Sequence, residues 1–264
     1  NLKGAVVAIE PATGNILAMV SKPGFDANLL AVHDGTSSGS SYAKLLNDKN
    51  SPLVNKAISG TLYAPGSVFK ILVAAAAFES GKWTPESTLP NPTKFKLPGT
   101  NTFIQNSGEG KCGGKSTVSI SDALKLSCNI PFAQLGIALG QDAIRAQAEK
   151  FGFGKAIETP LRSTASTYPK NMDDAQLGLS SFGQFDDRVT PLQIAMISSA
   201  IANGGKLMKP NLIENVQSAN LSSLYAPSPS EFSSPVSSTT AEIVKQMMIA
   251  AVASGVSSNG AIKG

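Results

Sequence analysis

One segment restricts the fold of this chain more than any other: the run from Ser67 to Ser80, which is apolar on nearly every side. Pro65-Gly66 interrupts whatever precedes it, and Gly81 follows its end. These boundaries are typical of a helix, and a helix without a polar face has to be enclosed by other elements. With 42% apolar and only 15% charged residues, the chain can supply that core. We therefore predict a globular domain built around this helix.

Turn and capping residues predict the elements around it. Two apolar runs in residues 5–20, separated by a Pro-Ala-Thr-Gly-Asn turn, predict a hairpin of interior strands. Further helices are predicted at residues 119–126, 132–139, 190–202 and 239–253. Residues 24–63 and 218–238 are rich in small polar residues and predict loops, the first with one short helix. The pattern indicates a mixed α+β domain with strands at both edges of a helical centre.

Charge and histidine content exclude several classes of function. The net charge of +4 is spread in ones and twos, which argues against a nucleic-acid partner. The single histidine, His33, stands beside Asp34-Gly35 and is interpreted as a solvated loop residue, so neither a His-rich metal site nor a Ser/His/Asp triad is expected. We expect no metal and no cofactor. The longest apolar run, residues 71–78, is far short of the roughly 20 residues that a membrane span needs.

A serine followed three residues later by a lysine occurs twice, at Ser41/Lys44 and at Ser67/Lys70. On a helix the two side chains share a face, and a neutral amine can take the proton of the hydroxyl. Only Ser67 opens a buried helix, where loss of solvation lowers the pKa of Lys70 toward the range of a useful base. Without further motifs, an ordinary helix N-cap is the simpler interpretation of Ser67.

Further motifs exist, and they carry a family resemblance. Ser67-Val68-Phe69-Lys70 and Ser127-Cys128-Asn129 match, in order, the first two parts of the signature S-x-x-K, S-x-N and K-T-G. The chain thus resembles the penicillin-binding protein and serine β-lactamase superfamily. Additional stretches resemble its transpeptidase branch, class B in particular: residues 4–21, 63–67, 126–136, 183–184, 190–193 and 202–205.

The resemblance implies a fold for the whole chain. It is the penicillin-binding protein/serine β-lactamase-like α+β fold, an antiparallel sheet flanked by helices plus an all-helical subdomain, with residues 1–264 as one transpeptidase domain. Phe185 departs from the family, which often has a glycine there. No K-T-G occurs, and Lys263-Gly264 does not replace it. We therefore expect a domain that lacks its C-terminal K-T-G strand region through truncation.

The resemblance also implies an activity and residue roles. The family forms an acyl-serine with peptidoglycan stem peptides, cross-links them as a D,D-transpeptidase, and is trapped by β-lactams. Carried over, Ser67 is the nucleophile, Lys70 its base, and Ser127 the proton relay to the leaving amine. Asn129 would hydrogen-bond Lys70 and the substrate amide, with capping of the helix corner as the alternative for both Ser127 and Asn129. Gly183 and Gln184 would bind substrate.

The resemblance places the domain outside the cytoplasm. We expect it at the extracytoplasmic face of a bacterial cell membrane, held by an N-terminal anchor outside this chain, with stem peptides, β-lactams and other cell-wall synthesis proteins as partners. In an oxidising compartment Cys112 and Cys128 would form a disulfide that pins the corner at Ser127, while two buried thiols are the alternative.

Two other functions share these motifs. A β-lactamase has the first two motifs but needs a water-activating group, and no clear signature of one is found. A non-catalytic β-lactam sensor or wall-binding module would explain the missing K-T-G.

Overall fold

A computed structural model describes residues 3–262 of the chain, so Lys263-Gly264 lies outside the described residues. The helices are α1 (Gly35–Leu46), α2 (Phe69–Glu79), α3 (Ile120–Lys125), α4 (Asn129–Leu139), α5 (Gln141–Lys150), α6 (Asp174–Ser180), α7 (Pro191–Ala202) and α8 (Ser238–Ser254). The strands are β1 (Gly4–Ile9), β2 (Ile16–Lys22), β3 (Thr88–Pro90), β4 (Phe95–Lys96), β5 (Phe103–Ile104), β6 (Thr117–Ser119), β7 (Leu207–Met208), β8 (Val216–Gln217), β9 (Ser223–Tyr225) and β10 (Glu231–Ser233).

Helix α2 forms the centre of the core, as its sequence predicts. Every residue from Phe69 to Phe78 is buried. The helix packs against α3, α4, α5 and α8, which cover its different sides. A single 3₁₀ turn, Gly66–Val68, precedes it, so Ser67 lies in a tighter turn than the α-helix predicted from residue 67. No helix in residues 3–262 combines the length and the apolarity needed to cross a bilayer.

The strands pair in antiparallel couples, β1 with β2, β3 with β6, β4 with β5, β7 with β10 and β8 with β9. Together with the helices they give the expected α+β class. The prediction of interior strands for the first hairpin is wrong, because Val6 is 62% and Leu17 69% exposed. One face of this hairpin packs on the core and α7, and the other face is open.

Helices α3 and α4 meet at the predicted corner. Ser119 caps α3 by accepting a hydrogen bond from the Asp122 backbone N–H. Ser127 then adopts a left-handed conformation with φ 56°, which ends α3 and turns the chain into α4. The corner therefore places Ser127 and Asn129 at the end of one helix and the start of the next.

The first loop region contains the helix predicted within it, α1, which spans 12 residues and is capped by the side chain of Asp34. Two predicted boundaries need correction. Helix α4 begins at Asn129 rather than after Pro131, because proline is tolerated in the first turn of a helix. The last helix is capped by Ser237, whose hydroxyl accepts from the Thr240 N–H, rather than by Thr239. Glu242 does not reach back to a cap because it pairs with Lys245 one turn later. Helix α7 begins as predicted, with Thr190 as N-cap and proline in its first turn.

Candidate active site

The turn that carries Ser67 is held by direct backbone contact with residue 183. The Gly66 N–H donates to the Gly183 carbonyl over 3.0 Å. Gly183 has φ 77°, and a Cβ atom there would lie 2.0 Å from the Gly66 carbonyl oxygen. Only glycine fits this approach. Gly183, predicted to bind substrate, thus contacts the turn behind Ser67.

Lys70 is the hub of the site. Its side chain is fully buried, and Nζ lies 3.1 Å from Ser67 Oγ, 3.0 Å from Ser127 Oγ, 2.8 Å from the Ser127 carbonyl and 2.8 Å from Asn129 Oδ1. The rings of Phe132 and Phe182 stand 5.8 and 6.0 Å from the amine. The structure therefore brings together all four residues for which a catalytic role is predicted.

Burial changes the protonation of this amine. Loss of solvation lowers the pKa of Lys70 from 10.5 to about 7. The two shortest contacts are to the Ser127 carbonyl and Asn129 Oδ1, which can only accept hydrogen bonds. A neutral amine has two N–H groups for these acceptors and one lone pair left for a hydroxyl proton. The surroundings of Lys70 thus suit a base that receives a proton from serine.

Ser127 is held in a conformation that serine rarely adopts. Its φ of 56° would be unstrained for glycine, whereas a side chain there costs about 1–2 kcal/mol. Both its hydroxyl and its carbonyl point at Lys70 Nζ. Such strain is typical of a functional position that the surrounding structure fixes.

A cleft of about 880 Å³ opens over Ser67. Besides Ser67, Ser127 and Asn129, it is lined by Ile104, Gln105, Ser107, Leu179, Phe182, Gln184, Phe185, Val256 and Ser257. Gln184, predicted to bind substrate, lines this cleft, whereas Gly183 contributes through the turn of Ser67. The Val256 N–H donates to the Lys125 carbonyl over 3.0 Å, which fixes the cleft residues 256–257 to the end of α3.

The loop at residues 183–188 is anchored by a buried carboxyl group. Ser180 Oγ donates to Asp187 Oδ1 over 2.7 Å, and Oδ2 has no partner among the described residues. Burial raises the pKa of Asp187 to about 8. Phe185, where the resemblance expects glycine, has a left-handed φ of 64° and stays 40% exposed at the cleft wall. The phenylalanine therefore keeps the backbone conformation that glycine would favour.

A disulfide joins Cys112 and Cys128 across 16 positions of the sequence. Cys128 lies between Ser127 and Asn129 and is fully buried. The bond therefore ties the loop before β6 to the corner that carries both polar side chains.

The second S-x-x-K pair and the single histidine lie outside the site. Lys44 is exposed on α1, so Ser41/Lys44 lacks the burial that sets Lys70 apart. His33 is exposed just before the cap of α1. Sequence reasoning missed four buried polar residues, Asn91, Asn106, Ser180 and Asp187. Asn91 and Asn106 bond to each other across 15 positions and Ser180 and Asp187 across seven, and neither spacing belongs to a recognised motif.

Comparison with known proteins gives consistent matches. The family model described as the penicillin binding protein transpeptidase domain matches residues 4–264. Peptidoglycan D,D-transpeptidase PbpA of Mycolicibacterium smegmatis is 40% identical over 250 residues, covering 94% of this chain and 50% of the relative. The protein of the same name from Mycobacterium tuberculosis is 44% identical over 223 residues, covering 84% of this chain and 45% of the relative.

A solved structure has the same architecture. Penicillin-binding protein A from M. tuberculosis, in an imipenem acyl-enzyme complex, superposes with a TM-score of 0.94 at 39% identity, covering 99% of this chain and 60% of that one. The chain spans about half the length of the curated relatives it matches.

Proposed function

The chain belongs to the family of penicillin-binding protein transpeptidase domains, and we propose that it is a D,D-transpeptidase that cross-links peptidoglycan stem peptides through an acyl-serine intermediate. The observation that carries this proposal is the buried amine of Lys70, within hydrogen-bond distance of Ser67 Oγ, Ser127 Oγ and Asn129 Oδ1. This cluster provides a nucleophile, a base and a second hydroxyl in one place.

Acylation is the first half of the proposed reaction. Ser67 Oγ attacks the carbonyl carbon of the penultimate D-alanine while its proton passes to the neutral amine of Lys70. The Ser67 N–H, at the first turn of a helix, would bind the oxyanion that develops. The second oxyanion donor of the family comes from the K-T-G strand, and the motif is absent from this sequence. The bond to the last D-alanine breaks, and Ser127 Oγ passes the proton from Lys70 to the leaving amine.

Deacylation uses the same groups in reverse. An amine from a neighbouring stem peptide attacks the carbonyl of the acyl-serine. The proton that this amine loses passes through Ser127 and Lys70 to Ser67 Oγ as the ester bond breaks. Asn129 Oδ1 accepts a hydrogen bond from Lys70 Nζ, and Asn129 Nδ2 donates to the Gln105 carbonyl over 3.1 Å. Asn129 and Gln184 would bind the substrate peptide along the cleft.

The family role suggests the partners and the compartment. We propose that β-lactams acylate Ser67 and that the domain works beside other cell-wall synthesis proteins, at the extracytoplasmic face of a bacterial membrane. The Cys112–Cys128 disulfide supports this placement, because such bonds persist mainly in oxidising compartments.

Intact-mass spectrometry after incubation with benzylpenicillin tests the proposal. We expect the full-length protein to gain the mass of one penicillin and Ser67→Ala to gain none. Ser41→Ala is the matched control, because it removes the serine of the second S-x-x-K pair and should acylate like wild type.

The lifetime of the adduct separates the competing functions. An adduct that lasts minutes or longer supports the transpeptidase, whereas hydrolysis within seconds would indicate a β-lactamase. A stable adduct on a full-length protein that cannot cross-link stem peptides would indicate a sensor. A folded wild-type protein that forms no adduct at all would contradict the acyl-serine mechanism.

A further inference from the structure

Helix α4 begins at Asn129 without a cap of its own. Cys128 occupies the N-cap position and makes no side-chain capping bond, since its sulfur is committed to the disulfide. The first N–H groups of a helix have no partner within the helix and need an acceptor when buried. Here the missing acceptor lies 23 positions earlier in the sequence, at Asn106.

Asn106 provides that acceptor. Its Oδ1 accepts from the Asn129 N–H over 2.9 Å and from the Ile130 N–H over 3.0 Å. The side chain is only 3% exposed. Two N–H groups at the start of α4 are therefore bound by one amide oxygen from a separate loop.

A second buried amide fixes the orientation of the first. Asn106 Nδ2 donates to Asn91 Oδ1 over 2.9 Å and to the Gly110 carbonyl over 3.3 Å. Asn91 Nδ2 in turn donates to the carbonyls of Cys112 and Lys115. Because Asn106 Nδ2 is bound to Asn91 and Gly110, Asn106 Oδ1 faces the start of α4.

The same loop also holds the side chain of Asn129. The Gln105 carbonyl accepts from Asn129 Nδ2 over 3.1 Å, which turns Oδ1 of Asn129 toward Lys70 Nζ, 2.8 Å away. Residues 105 and 106 therefore fix Asn129 at both its backbone and its amide. The amine that contacts Ser67 is oriented in turn by Asn129.

We propose that Asn106 is a positioning residue for acylation: it caps α4 from outside the helix and thereby holds Asn129 and Lys70 in register with Ser67. The proposal rests on the acyl-serine chemistry proposed above. Asn106 acts through the backbone of α4 rather than on the reacting atoms.

Single-turnover acylation by benzylpenicillin tests this role, with the acylation rate constant resolved from the binding constant. Asn106→Ala removes the acceptor, and we expect its acylation rate constant to fall at least about tenfold with little change in binding, because small misplacements of reacting groups slow catalysis strongly.

Gln147→Ala is the matched control. Gln147 is also a buried amide, 4% exposed, but its Nε2 donates to the Pro235 carbonyl over 2.8 Å and takes no part in the Asn91–Asn106 network. This variant should lose thermal stability like Asn106→Ala and yet acylate within about threefold of wild type. If Asn106→Ala does not fold by circular dichroism, Asn106→Ser replaces it, since a hydroxyl is too short to accept both bonds.

The outcomes are distinct. A near wild-type rate in Asn106→Ala, or equal losses of rate in Asn106→Ala and Gln147→Ala, would overturn the positioning role. Failure of the wild-type protein to acylate would instead refute the proposed function.

Discussion

Lys70 shows how one buried residue can set the chemistry of a site. The amine has no exposed surface and faces two aromatic rings, so its charged form loses most of its hydration. The lysine of the other S-x-x-K pair is solvated on α1. The same sequence pattern therefore has chemical meaning only where the fold removes water.

The protonation of Lys70 predicts the pH dependence of acylation. Because the amine must be neutral to accept the Ser67 proton, and its pKa is about 7, the rate should rise about tenfold per pH unit below that value and level off above it. The measurement is the rate of benzylpenicillin acylation from pH 5 to 9. Lys44→Met should leave the profile unchanged. A rate still rising at pH 9 would show that Lys70 keeps an ordinary pKa.

At the scale of elements, the site depends on two backbones meeting closely. The turn before α2 and the loop after α6 touch at Gly66 and Gly183, and Gly183 has no room for a side chain because its Cβ atom would overlap the Gly66 backbone. This contact fixes the nucleophile relative to the cleft wall formed by Gln184 and Phe185.

Gly183→Ala should therefore both destabilise the fold and slow acylation. Its Cβ would stand 2.0 Å from the Gly66 carbonyl oxygen, so the turn that carries Ser67 must move. Gly154→Ala is the matched control, because Gly154 has a similar φ of 82° with open space around it. Thermal unfolding should show that backbone strain lowers the free energy of unfolding of both variants by about 1–2 kcal/mol. Acylation measurements should show a slower rate only in Gly183→Ala. Equal acylation by the two variants would argue against this contact.

The sequence predicted those elements whose structure is determined by residues close together in the chain. The apolar run of α2, the Thr190-Pro191 start of α7 and the corner at Ser127 were all predictable from neighbouring residues. The exposed face of the first hairpin was not, because its strands are apolar on both sides and only the tertiary arrangement decides which side is covered. Asn106 was equally hidden, since it caps a helix across 23 positions.

At the scale of the whole molecule, the disulfide links local geometry to global stability. It closes a loop across 16 positions, and loop-closure entropy gives such a bond about 3 kcal/mol. It also ties the strand-rich segment at residues 88–119 to the start of α4. Its loss should therefore affect unfolding of the entire domain.

Reduction of the protein, or the double substitution Cys112→Ala with Cys128→Ala, should lower the unfolding temperature by about 6–12 °C at this chain length. Calorimetry with and without a thiol reductant measures the effect, and the double variant serves as control because reductant should no longer change its unfolding. Two thiols titrating in the unreduced protein would contradict the bond.

The burial of α2 also has an evolutionary consequence. From Phe69 to Phe78 every side chain is packed on neighbours, so changes within this stretch disturb the core before they alter inhibitor recognition. Heritable drug tolerance in such a protein is therefore expected to arise at cleft-lining residues outside α2, such as Ser107, Gln184, Phe185 and Ser257. Substitutions there can discriminate between antibiotics while the helix that supports the nucleophile stays intact.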